Sequence, residues 1–113
     1  MKLIKQFLLN ESKSNFYTED EIKQINDVEL KQIVSLGLSY KISKIEMDWL
    51  NALFKIPNIE IDIKNTVRGT KDGVIIFIDP VWVESAFKNN MDIINNLSKD
   101  SGLYKIITTI LNN

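Results

Sequence analysis

The chain has 113 residues, 44% hydrophobic and 26% charged, with a formal net charge of −1. A chain of this size and composition can bury a core without disulfides or structural metal, so we expect one domain over residues 1–113. The absence of cysteine and histidine excludes thiol nucleophiles, Cys/His zinc sites, disulfide frameworks and imidazole acid–base chemistry.

Residues 2–10 carry Leu3, Ile4, Phe7 and Leu8 at helical spacing, which predicts a short first helix. Lys5 and Gln6 interrupt its apolar run, so it does not read as a secretory leader. Thr18-Glu19-Asp20-Glu21 is a capping box: a hydroxyl caps the helix, Glu21 reaches back, and the acids favour the positive helix end. Phe16 or Tyr17, just before the cap, is placed to staple onto Ile22. The apolar positions run on to Leu36. They allow one helix over 19–36 or two with a break near Asn26-Asp27, stopped by Gly37.

Ser43-Lys44-Ile45-Glu46 is a second capping box, opening a helix with an inward stripe of Met47, Leu50 and Phe54. Trp49 lies off the centre of that stripe, and Pro57-Asn58 ends the segment. The period then changes to two: Ile59, Ile61 and Ile63 alternate with Glu60, Asp62 and Lys64. Turn residues from Gly69 to Gly73 and the β-branched run Val74–Ile78 complete a predicted hairpin over about 59–79. Asp79-Pro80 starts a helix expected to run to about Leu97 through Val83, Phe87, Met91 and Ile94. The segment 103–111 fits either an amphipathic helix or a third strand. The fold class is therefore α+β and helix-rich, with three N-terminal helices, the central hairpin and one or two C-terminal helices.

Asp79 ends a strand, where catalytic carboxylates often stand. Its neighbour Pro80 makes it a helix cap, with Asp at the N-cap and Pro where its missing N–H costs nothing. No glycine spacing fits a phosphate-binding loop, and no run of oxygen ligands fits a calcium loop. We therefore expect no cofactor, no metal and no catalytic residue. Arg68 is the only arginine among 14 basic residues, which leaves little capacity for forked reading of bases or phosphates.

Elimination points to a small cytoplasmic protein-binding module. The abundance of Ile, Asn and Lys is that of AT-rich coding, as in mobile elements of low-GC bacteria and phages. The expected type is thus an immunity protein or inhibitor that occludes a toxin or host enzyme. Its candidate contact residues are Glu19, Asp20, Glu60, Asp62 and Trp82. The alternative is a winged-helix-like DNA-binding regulator with the 59–79 hairpin as wing, Arg68 and Lys71 on the nucleic acid, and residues 44–55 as recognition helix. Outward carboxylates at Glu46 and Asp48 would then oppose phosphates. Neither reading involves a membrane.

Overall fold

The computed structural model describes residues 16–56, 66–88 and 90–112. In chain order these form α1 (Glu19–Gln24), α2 (Asp27–Leu36), β1 (Leu38–Lys41), α3 (Lys44–Phe54), β2 (Val67–Thr70), β3 (Gly73–Ile78), α4 (Pro80–Phe87), a 3-10 helix (Met91–Asn96) and α5 (Gly102–Leu111). The α+β class holds. The predicted helix over 2–10 and the alternating segment at 59–63, with Glu60 and Asp62, lie outside the described residues.

Both capping boxes form. Thr18 Oγ1 accepts from Glu21 N–H while the Glu21 carboxylate takes Thr18 N–H, and Ser43 with Glu46 does the same for α3. The segment 19–36 is two helices, because Ile25 leaves the helical conformation and Asn26 caps a new start by accepting from Glu29 N–H. A six-residue helix is marginal alone. Lys105 of α5 steadies α1 from its far end, donating to the carbonyls of Ile22, Lys23 and Ile25 at 3.0, 3.4 and 2.6 Å. Tyr17 and Ile22, the staple pair, both enter the core.

Gly37 ends α2 at φ 87°, a conformation that favours glycine. The chain turns there into β1, a strand the helical reading of the N-terminal half did not anticipate. The sheet is antiparallel in the order β1-β3-β2, with Leu38 opposite Ile78, Tyr40 opposite Ile76, and Arg68 opposite Ile75. Its third strand thus comes from 38–41, and 103–111 is a helix. The hairpin turn is only Lys71-Asp72; Arg68, Gly69 and Thr70 belong to β2 and not to the tip. The inner face, with Leu38, Tyr40, Ile76 and Ile78, joins Leu103, Ile106, Ile107 and Ile110 of α5 in the core.

Two further expectations are corrected. The helix from Pro80 stops at Phe87, where the Asn90 side chain donates to the carbonyl of Ala86 and competes with the backbone ladder. Beyond it Ile94 is buried on the 3-10 turn and Met91 is exposed. On α3 the inward positions are Glu46, Trp49, Leu50 and Leu53, with Met47 and Phe54 only half-buried. Trp49 stacks on Phe87 with ring centres 5.8 Å apart and donates to the carbonyl of Ile93 at 3.0 Å.

Candidate functional site

The most densely bonded side chain among the described residues belongs to Glu46, 1% exposed. One half of the Ser43 box is its acceptance from Ser43 N–H at 2.8 Å. The rest of its capacity reaches across the fold. Its carboxylate also accepts from the Tyr40 hydroxyl at 2.7 Å, from Leu103 N–H at 3.0 Å and from the Ser101 hydroxyl. Burial pushes its pKa up, but donations from Ser101, Ser43, Leu103 and Tyr40 outweigh this and hold it below the usual carboxylate value. Burial first, then the bond to Glu46, pushes the Tyr40 phenol far up.

A serine against a buried carboxylate resembles an activated nucleophile, and the chemistry must be weighed. Ser101 is 6% exposed, and its hydroxyl both donates to Glu46 and accepts from Tyr104 N–H to start α5. Both groups are consumed in closing helix ends, and neither offers an atom to a substrate. The cluster is a joint between β1, α3 and α5. Glu46, expected to face outward, points into it because α3 lays Glu46, Trp49, Leu50 and Leu53 on one buried face.

Asp79 does what its neighbour Pro80 implied: its carboxylate accepts from Trp82 N–H at 3.1 Å with Pro80 in the first turn. Among the described residues no three acidic side chains form a group able to hold a metal ion.

The candidate contact residues are held by different elements. Glu19 accepts from Gly102 N–H at 3.2 Å and pairs with Lys23 at 3.8 Å, so it helps start α5. Asp20 is exposed on α1. Trp82 is half-buried, and its indole N–H donates to the Phe77 carbonyl at 2.9 Å. Its ring packs against the core, so the more accessible groups are its neighbours. Glu60 and Asp62 lie outside the described residues.

What sequence reading missed is the exposure of three apolar residues that stand near Gly37 or Asp79 along the chain. Leu36 is 85% exposed, Val81 78% and Phe77 40%. A Cβ on Gly37 would meet the Phe77 ring at 2.6 Å and Asp79 Cβ at 3.3 Å, so the Phe77 ring lies over Gly37. Phe77 faces away from the core because its neighbours Ile76 and Ile78 face inward. The alternation was visible in the sequence only once a two-faced sheet is assumed. The run Val74–Ile78 is buried on both faces at Ile75, Ile76 and Ile78, and opens at Phe77.

Cross-strand partners point to the same face. Ser39 therefore shares the outer face with Phe77, and Lys41 and Arg68 share it with Ile75 between them. Lys41, Arg68 and Lys71 are exposed, and none makes an ion pair with a described residue. No family model matches this chain, and no curated protein or solved structure is similar to it.

Proposed function

We propose that the protein is a protein-binding module that acts by occlusion, in the manner of an immunity protein or inhibitor. The observation that carries this is the exposure of the apolar residues Leu36, Phe77 and Val81, with the Phe77 ring lying over Gly37, the residue that follows Leu36. Exposed aromatic and aliphatic residues with a charged rim are the usual anatomy of an interface. The absence of cysteine and histidine and the fully committed Glu46–Ser101 cluster leave little machinery for catalysis. The proposed contact centres on Phe77, with Trp82 behind it as a support. Glu19 and Asp20 stand on α1, and Glu60 and Asp62 lie outside the described residues.

The test places a photo-reactive amino acid at position 77 or, as control, at exposed Asp48 on α3, in the cell that makes the protein. The expected result is one discrete protein adduct from position 77 and none from 48. No adduct from 77, or the same adducts from both, would overturn the proposal.

One observation favours the second reading, a DNA-binding regulator with a wing. The hairpin is backed by a third strand, β1, that enters from between helices, and Arg68 and Lys71 on it make no ion pair with a described residue. Glu46 is also turned inward, which removes one carboxylate from the outward side of α3. Duplex binding that weakens steeply with salt is the result this reading requires.

A further inference from the structure

We propose that the outer sheet face docks an acidic surface of a partner protein, Lys41 and Arg68 meeting its carboxylates and Phe77 its apolar centre. This rests on the protein-binding reading above. The register sets the geometry. Lys41 and Arg68 both stand opposite Ile75, on either side of the central strand; Ile75 itself is 3% exposed, so the contact falls to the ends of the two cations and to Phe77. The Lys41 and Arg68 backbones are therefore two strand spacings, about 10 Å, apart, and Phe77 follows about 7 Å further along β3. The stem of Lys41 runs toward the turn, because a Cβ on Gly73 would lie 3.0 Å from Lys41 Cε. That carries its ammonium toward the end of the hairpin where Lys71 stands.

Three cations thus gather at one end of the sheet without an ion-pair partner among the described residues. Asp72 is the one carboxylate in the turn, and it makes no ion pair with any of them. Like charges held together without counter-charge repel, and an anionic partner removes that repulsion. Nucleic acid also supplies anions, but the neighbouring residues favour protein. Phe77, exposed on the same face, adds an apolar contact beside the cations, and phosphates gain nothing from an apolar side chain. One exposed aromatic among the described residues and a single arginine also make a poor stacking track for a single strand.

The test is chemical-shift mapping on the isotopically labelled full chain with three probes: capped dodecaglutamate, capped dodecalysine and a thymidine dodecanucleotide. Dodecaglutamate should move amides of 39–41 and 68–77, with binding weakened by salt. Lys41→Gln/Arg68→Gln should lose about tenfold in affinity, and Lys41→Glu/Arg68→Glu should abolish binding. Both sites are exposed, and the glutamine pair keeps the test valid should the glutamate pair misfold. No shifts at millimolar dodecaglutamate, shifts elsewhere, or tighter binding of the oligonucleotide would overturn the proposal. A cross-link from position 77 without dodecaglutamate binding defeats only the acidic partner. Loss of both defeats the protein-binding reading as well.

Discussion

Gly102 has no side chain where the Tyr40 hydroxyl needs the room: a Cβ there would lie 2.7 Å from that oxygen and 3.2 Å from Glu19 Cα. The first residue of α5 is thereby pressed against β1 and α1 at once. The approach lets Gly102 N–H reach Glu19 while Leu103 N–H and Ser101 reach Glu46. Alanine is the better helix former by roughly 0.5–1 kcal/mol, which argues for substitution. Overpacking against backbone and a bonded hydroxyl costs roughly 1–3 kcal/mol, and this term wins. Gly102→Ala should lower the urea midpoint. Gly69→Ala, with nothing within 4 Å of the new Cβ, should leave it nearly unchanged.

Removing the Glu46 carboxylate strands several buried donors together. We expect Glu46→Ala to cost roughly 3 kcal/mol or more and Tyr40→Phe about 1–2 kcal/mol, measured by urea unfolding. The two losses should be non-additive, because both delete one bond of the same cluster.

The pH dependence has a definite sign. The folded pKa of Glu46 lies below its unfolded value near 4.5. Its contribution is therefore fully present above that value and lost as pH falls through the folded pKa. Unfolding free energies between pH 7 and 3 should show a smaller acid loss in Glu46→Gln than in the unsubstituted protein.

Tyrosines act at the other end of the scale. Burial, then the charges of Glu21 and Glu29, pushes the Tyr17 phenol up to about 12. A raised folded pKa gives stability present below the unfolded value of 10 and lost as pH rises through the folded one. Alkaline titration at the phenolate absorbance should show Tyr17 and Tyr40 silent at pH 10.5, ionising only as the fold opens. Tyr17→Phe should be tolerated, since its buried hydroxyl has no hydrogen-bond partner.

Asp79→Ala tests the helix start that first looked like a catalytic site. Loss of its bond to Trp82 N–H should cost about 1 kcal/mol. Asp79→Ser, which can still cap, should recover most of that in thermal unfolding.

Local devices were legible because their physics is local. Thr18 with Glu21, Ser43 with Glu46, Gly37, and Asp79 with Pro80 each act within four residues, and all form as their chemistry dictates. What escaped was non-local. Glu46 reads as half of a capping box, and nothing within its own turn shows that Ser101, 55 residues on, and Leu103, 57 on, use the other half. β1 escaped because four residues offer only two alternations, Leu38 and Tyr40 against Ser39 and Lys41, too few to stand out beside helical spacing. Without β1 the outer face had no definition. Lys41 and Phe77 could then not be placed on the same side as Arg68.

The most direct measurement is the affinity of the partner captured through position 77 for Phe77→Asp, compared with Glu46→Gln at equal folded fraction. Phe77→Asp, which removes a ring lying over Gly37 on the central strand, should lower stability and, compared at equal folded fraction, weaken binding by at least about tenfold. Glu46→Gln should lower stability and leave the affinity of the folded molecules intact. Binding by Phe77→Asp equal to that of the unsubstituted protein would contradict the protein-binding reading.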